Sequence, residues 1–170
     1  MSGDLLFRYK NLKSHFKRKL PIVVLDLNYD KENDIIHEIS LFFYHNGKTQ
    51  FFYYNLTNPN NNSFSFDKTL KNTHKNIINE LHNRLKKQEH FLVGLNMKRN
   101  LKLLKISCEN QVRRSIDFGK IPQILSFYKN KEKPKTVSQI FTDFNIKPNC
   151  NISNSGNKSK YILDVCLEIL

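Results

Sequence analysis

Apolar and polar positions alternate in blocks along the first third of the chain, and these blocks predict strands. Residues 22–25 (IVVL) form the kind of continuous apolar run that a strand buried on both faces requires, and Asp26 directly follows them. A second apolar run covers residues 35–43, and Asn46-Gly47 then predicts a tight hairpin into a third strand over residues 49–56. The pattern predicts a three-stranded antiparallel meander whose first strand ends in a carboxylate.

Helical and strand patterns follow one another through the rest of the chain. Apolar residues recur at helical spacing from Leu70 to Leu85, with Asp67 as the predicted N-cap, and residues 91–94 (FLVG) predict a short buried strand. A helix is predicted next, with Met97, Leu101, Leu104 and Cys108 on its inner face. An edge strand over residues 114–118, short helices and a terminal helix (SKYILDVCLEIL) complete the chain.

The first 20 residues combine basic and apolar side chains. Leu5, Leu12, Phe16 and Leu20 could share one face of a short helix, with basic residues on the other faces. We interpret residues 1–20 as a basic N-terminal arm and residues 21–170 as one domain. The arm either binds a partner or packs on the sheet as a leader.

The net charge indicates the kind of partner to expect, and the cysteine content indicates the cellular compartment. Twenty-eight basic residues against 15 acidic ones give a net charge of +13. Such a field favours a polyanionic partner, although it could also serve solubility alone. Three widely spaced cysteines indicate neither a disulfide framework nor a zinc site. Without a signal peptide or a membrane-spanning run, we expect a reduced cytoplasmic or nuclear location and no membrane partner.

Three sequence stretches together resemble a family of nucleases. The first is VVLDLN with the following IIHEISLF, the second is VGLNMKRNLKLL, and the third is the terminal SKYILDVCLEIL. In this order they resemble the motifs of the DEDD 3′–5′ exonucleases, whose fold is RNase H-like. The last helix also resembles that of the inactive exonuclease-like domain of Exuperantia, and the Maelstrom domain is a second degenerate relative of this kind. The resemblance implies an RNase H-like α/β fold over residues 21–170, in which helices flank a mixed five-stranded sheet.

The resemblance also implies that the catalytic chemistry is lost. The family's acidic positions correspond to Asp26, Asn28, Asn100 and Asp164, so that two of four acids are amides, and Ser159 stands where the general-base histidine is expected. Two-metal hydrolysis needs carboxylates around both ions. We therefore expect no active catalytic residue, no metal site and no cofactor, with Mg²⁺ or Mn²⁺ relevant only if Asp30, Asp34 or Asp117 replaces a missing acid.

A degenerate groove surrounded by lysines predicts a nucleic-acid-binding domain. We expect RNA, or single-stranded DNA, to bind through a basic set consisting of Lys17, Arg18, Lys19, Lys98, Arg99, Lys102, Lys158 and Lys160. One alternative is a protein–protein scaffold that uses the aromatic third strand, Phe51 to Tyr54, possibly as a homodimer. The other is a weak residual nuclease.

Overall fold

A computed structural model describes residues 2–58, 64–66, 70, 72–87, 89–106, 113–132 and 136–170. The predicted N-cap Asp67 lies outside these residues. The strands are β1 (Ile22–Tyr29), β2 (Ile36–His45), β3 (Lys48–Asn55), β4 (Phe91–Gly94) and β5 (Ser115–Asp117). The helices are α1 (Gly3–Lys17), α2 (His74–Lys87), α3 (Met97–Leu103), α4 (Pro122–Phe127), α5 (Val137–Asp143) and α6 (Ser155–Ile169), with a 3₁₀ turn at Phe118–Lys120 between β5 and α4.

The five strands form one mixed sheet in the order β3-β2-β1-β4-β5. β1, β2 and β3 are the antiparallel meander that the sequence predicts, while β4 and β5 run parallel to β1. Asp26 lies opposite Ser40, and Asn28 lies opposite Glu38. The predicted α/β class and mixed five-stranded sheet are therefore confirmed.

The hairpin between β2 and β3 follows from its two turn residues. Asn46 has φ 51° and Gly47 has φ 75°, and they connect the paired residues His45 and Lys48. Two consecutive left-handed residues are the requirement of a type I′ turn, whose twist matches that of the strands it joins. The Asn-Gly signal thus fixes the register of the meander.

Both faces of the sheet are covered by helices. On one face, α1, α4, α5 and α6 pack against a core that includes Val24, Phe42 and Tyr53. On the other face, α2 and α3 pack against Leu25, Leu41 and neighbouring side chains. The alternating side chains of the central strands explain why β1 reads as a continuous apolar run.

The N-terminal segment forms a helix that packs on the sheet. Leu12 of α1 is completely buried, and Tyr9 belongs to the same core cluster as Ile22. The Arg8 guanidinium donates to the Ser115 carbonyl at 3.2 Å, so α1 also contacts β5. Leu5 and Phe16 of the predicted apolar face pack against this core as well, whereas Leu6 and Phe7 of α1 are exposed.

The helix after β4 is shorter than its apolar spacing suggests. Lys105 has φ 55°, and Ile106 N donates to the Leu101 carbonyl, so the chain leaves the helix after Leu103. Left-handed residues of this kind commonly end helices. Cys108, predicted on the inner face of this helix, lies outside the described residues. Nowhere in the described part of the chain is a helix long and apolar enough to cross a membrane.

The aromatic residues of β3 are mostly covered. Tyr53 and Tyr54 are buried, and Phe51 and Phe52 are half-buried. The Phe51 ring packs on Phe42 with centroids 4.6 Å apart, and the Arg84 guanidinium lies 4.5 Å from the Phe52 ring centroid. β3 consequently offers little free apolar surface to a protein partner.

Candidate nucleic-acid interface

The carboxylate at the end of β1 is buried beneath a lysine. Asp26 is 2% exposed, and the Lys158 ammonium lies 2.8 Å from its Oδ2. Lys158 projects from the first turn of α6, which packs across β1 and β2. The side chain is only 16% exposed, so that this is an ion pair largely removed from solvent.

Burial dominates the ionisation of Asp26. Desolvation raises its pKa from 3.8 to about 6, and the nearby Lys158 charge opposes that rise. A buried carboxylate is stable as an anion only when charge or hydrogen bonds compensate its lost hydration. Lys158 supplies this compensation.

Asn28 connects the ion pair to the start of α6. Its Oδ1 accepts from Lys158 Nζ at 3.2 Å, and its Nδ2 donates to Glu38 Oε2 at 2.6 Å. The same Glu38 oxygen accepts from the Ser155 backbone N–H at 2.8 Å. A carboxylate at a helix N-terminus is favourable, because the first N–H groups lack helical partners. The amide and the lysine thus fasten α6 over the end of β1.

Ser159 lies in a buried polar contact beside this network. Its Oγ is 2.6 Å from Ser40 Oγ, and Ser40 Oγ also lies 3.0 Å from the Ser155 carbonyl oxygen. Ser40 and Ser159 are completely buried. These hydroxyls join α6 to β2 and have no route to a solvent-borne substrate.

Asp164 and Asn100 have other partners. Asp164 accepts from Lys160 Nζ at 2.5 and 2.6 Å, one turn earlier on α6. It follows Lys158 by six residues, which corresponds to roughly 9 Å of rise and about 120° around the helix. The buried Asn100 side chain donates to the Leu95 carbonyl at 2.9 Å. Of the aligned positions, the contacts join Asp26 and Asn28 through Lys158, a residue that the alignment did not assign to the site.

The oxygen set at the end of β1 does not suit a pair of divalent ions. Asp26 already has an ammonium group within 2.8 Å, and the adjacent Asn28 is neutral. Two-metal sites need several carboxylates that are free to bind both ions. Among the described residues there is also no group of three or more His, Cys, Asp or Glu side chains arranged to hold a metal.

A basic cleft opens beside this network, where β4 and β5 end. It consists of two adjoining cavities of about 650 and 400 Å³ that share Lys98, Lys102, Asp117 and Lys120. Arg8 extends it toward α1, and Arg99 and Tyr29 extend it toward β1. We call this the carboxyl-end cleft. In parallel α/β sheets, ligands commonly bind outside the carboxyl ends of the strands.

The cleft has more cations than acids, and several of its cations are unpaired. Asp4 and Asp117 are its acids, and Asp4 pairs with Arg8 at 2.9 Å. Asp117 accepts from the Met97 and Gly119 backbone N–H groups. Across the described part of the chain, no ion pair involves the exposed Lys98, Lys102 or Lys120. Their charges are available to an anion.

Arg99 is partly engaged within the protein. Its guanidinium pairs with Asp34, donates to the Lys31 carbonyl at 3.2 Å and lies 5.4 Å from the Tyr29 ring centroid. These contacts join α3 to the β1–β2 connection and position the Tyr29 ring. Arg99 therefore forms a wall of the cleft.

The predicted basic set is divided among different surroundings. Lys98, Arg99 and Lys102 line the cleft, whereas Lys158 and Lys160 pair with acids of their own domain. The remaining three, Lys17, Arg18 and Lys19, are exposed at the end of α1. Lys120 and Arg8 line the cleft as well, and sequence reasoning did not select them. The sequence signal that could have indicated Lys120 is its position two residues after the predicted edge strand, residues 114–118.

Comparisons with known proteins give no family for this chain. No protein-family model matches the sequence, and no curated protein matches it either.

Proposed function

We propose that this chain is a catalytically inactive exonuclease-like domain with an RNase H-like fold that binds RNA, or single-stranded DNA, in the carboxyl-end cleft. A meander followed by two strands parallel to β1 agrees with the fold that the motif resemblance implies. The observation that carries the proposal is a set of three lysines around one cleft, Lys98, Lys102 and Lys120, none of which pairs with an acid among the residues that the structure describes.

The shape and chemistry of the cleft favour a single strand. Lysines neutralise phosphates without reading sequence, and an aromatic ring in a basic groove can stack on a base. Tyr29 lines the same cavity as the lysines. Proteins that bind single strands commonly combine a basic groove with an aromatic ring on which a base stacks, and this cleft has both.

The contacts at the end of β1 support the proposed loss of hydrolysis. Asp26 is held by Lys158, while Asn28 hydrogen-bonds to both Lys158 and Glu38. The ammonium supplies the positive charge that this buried carboxylate needs, and the neighbouring Glu38 carboxylate accepts from Asn28 and from the Ser155 N–H, so both acids already have partners within the protein. Strand binding in this proposal therefore requires no divalent metal.

Fluorescence anisotropy with labelled single-stranded RNA and DNA, measured over a salt series, tests the proposal. Three phosphate contacts contribute about 2 to the slope of log K against log salt, because each contact with a single strand contributes roughly 0.7. The variant Lys98→Gln/Lys102→Gln/Lys120→Gln should lose about this much slope and bind more weakly. Addition of EDTA should change neither protein's affinity.

A charge-matched variant separates the cleft from net charge. Lys10, Lys75 and Lys86 are exposed and do not line the cleft, so their triple replacement by Gln removes the same charge. Its salt slope should equal that of the wild type. Equal losses in both triple variants, or wild-type binding that does not depend on salt, would disprove the cleft as the binding site.

The scaffold alternative has less support from the geometry. It relies on an exposed aromatic face of β3, where Tyr53 and Tyr54 are buried and Phe51 and Phe52 are half-buried. A wild-type dimer in sedimentation that dissociates on Phe52→Ser substitution would favour that alternative over strand binding.

A further inference from the structure

A third cavity lies at the opposite ends of the strands and is rich in arginine. It has a volume of about 270 Å³ and lies where α1 ends and where β4 and β5 begin. Arg18, Arg113 and Arg114 line it, and Glu89 is the one acid among the lining residues that the structure describes. We call this cavity the amino-end pocket.

His15 contributes a buried ring nitrogen to this pocket. The residue is 4% exposed, and its Nδ1 lies 3.2 Å from the Asn11 carbonyl oxygen. A carbonyl can only accept, so Nδ1 carries the proton and Nε2 has a lone pair. Nε2 points toward Glu89 at 3.5 Å, and it makes no hydrogen bond with any residue that the structure describes.

The charge state of His15 follows from its surroundings. Burial lowers the pKa of the imidazole, and the positive charges of Arg114 and Arg18 lower it further, whereas Asn11 and Glu89 oppose the change. The ring is therefore neutral at pH 7, and the positive charge of the pocket resides on the arginines.

Glu89 is held only loosely. Its Oε1 lies 3.4 Å from Arg114 Nη2 and 3.5 Å from His15 Nε2, and the side chain is 36% exposed. Charge-assisted hydrogen bonds are shorter, at about 2.7–2.9 Å. The carboxylate can consequently turn into solvent when a stronger anion enters the pocket.

We propose that the amino-end pocket is a phosphate-binding site, separate from the carboxyl-end cleft. Guanidinium groups match the geometry of phosphate oxygens through paired N–H donors. The neutral His15 Nε2 accepts a hydrogen bond from a P–OH group, and the protonated ring donates one to a phosphate oxygen. Arg8 lies near the middle of α1 and lines the cleft, whereas Arg18 directly follows the last residue of α1, about 15 Å further along the helix axis, and lines the pocket.

NMR of the His15 imidazole during titration with inorganic phosphate at constant ionic strength tests the site. Phosphate should shift the His15 resonances and raise the pKa of the ring, because an adjacent anion favours the imidazolium. Sodium chloride at matched ionic strength should do neither. The same response to both salts would overturn the proposal.

Three substitutions separate the pocket from general surface charge. Arg114→Gln should weaken phosphate binding about tenfold, the usual effect of losing one charge-assisted hydrogen bond. Glu89→Gln should strengthen it, because the competing anion is removed. Lys10→Gln, an exposed position of α1 outside the pocket, should leave it unchanged. Wild-type affinity in Arg114→Gln, or weaker binding in Glu89→Gln, would refute the assignment.

Two oligonucleotides identify the source of the phosphate. If a 5′-phosphorylated strand binds more tightly than its 5′-hydroxyl counterpart, and Arg114→Gln removes the difference, then the pocket takes a strand end. If inorganic phosphate binds but the two strands bind alike, then the pocket takes a free phosphate. The inference does not rest on strand binding in the cleft, since the triple lysine variant should retain the His15 response. If the wild type shows no His15 response to phosphate, the pocket proposal is refuted, while strand binding in the cleft is unaffected.

Discussion

Replacing Lys158 by Met should make the stability of the protein depend on pH in a range where the wild type is nearly insensitive. The Lys158 ammonium is 2.8 Å from Asp26 Oδ2, and burial still raises the pKa of Asp26 to about 6. Relative to the ordinary value of 3.8, this rise corresponds to about 3 kcal/mol of lost stability at pH 7. Asp26 is thus costly even with its partner present.

The sign follows from proton binding. A carboxyl whose pKa is higher in the folded state binds more protons there than in the unfolded chain, so stability falls as pH rises between the two pKa values. In the wild type this range extends from 3.8 to about 6. Removal of the ammonium raises the pKa of Asp26 further, so that in Lys158→Met the range extends above pH 6.

The magnitude is set by the cost of keeping Asp26 protonated. Removing one partner of a buried ion pair costs about 3–5 kcal/mol when the remaining charge stays ionised. Asp26 can avoid this cost by binding a proton, which costs about 1.4 kcal/mol for each pH unit above 6. Relative to the wild type, the contribution of Asp26 to the destabilisation should therefore be near zero at pH 5 and about 3 kcal/mol at pH 8.

Urea unfolding from pH 5 to pH 8 measures this difference directly. Adding Asp26→Asn to Lys158→Met should remove the additional pH dependence that Lys158→Met causes, because position 26 then has no carboxyl group that titrates. Lys160→Met is the matched control on the same helix, since its pair with Asp164 is 27% exposed and contributes about 1 kcal/mol or less. A pH-independent difference for Lys158→Met, or one that persists with Asn at position 26, would refute the reasoning.

Two further predictions concern packing and buried hydroxyls. Gly94→Ala should destabilise the fold by about 3 kcal/mol or more, because the new Cβ would lie 2.0 Å from the Leu25 carbonyl oxygen, a backbone atom that cannot move aside. Thermal unfolding measures the loss of stability, and a loss below about 1 kcal/mol would contradict the prediction. Ser40→Ala should cost about 1–3 kcal/mol, because the buried Ser159 hydroxyl loses its Ser40 partner, whereas Ser159→Ala should cost about 1 kcal/mol, because Ser40 still donates to the Ser155 carbonyl. The double variant should cost less than the sum of the two, and strict additivity in chemical denaturation would show that the hydroxyls are not coupled.

Local signals in the sequence were sufficient for the sheet. The apolar block of β1 and the Asn46-Gly47 turn determine the meander, because strand burial and left-handed turn residues are properties of neighbouring positions. The end of α3 was harder to predict. Lys105 adopts a left-handed backbone conformation, which a lysine in the sequence does not indicate. The apolar spacing alone therefore predicted a longer helix.

The partner of Asp26 could not be read from the chain. Lys158 lies 132 residues away, and its selection depends on the rotation of α6 about its axis. That rotation is set by packing of the helix on β1 and β2 and by buried contacts such as Ser159 to Ser40. Motif alignment directed attention to Asp164, whose side chain lies about 120° around the helix from Lys158. Arg18 of the amino-end pocket is likewise distant in sequence from Arg113 and Arg114, and it meets them only because α1 packs near the start of β5.

The packing of α1 along β5 has a consequence for any shortened version of this protein. A fragment beginning at Pro21 would lack the fully buried Leu12 and the Arg8 donor that satisfies the Ser115 carbonyl. The outer side of β5 would then offer unpaired backbone groups to a strand of another molecule, which is how β-proteins aggregate. We therefore expect a fragment that begins at Pro21 to self-associate more readily than the chain that retains α1.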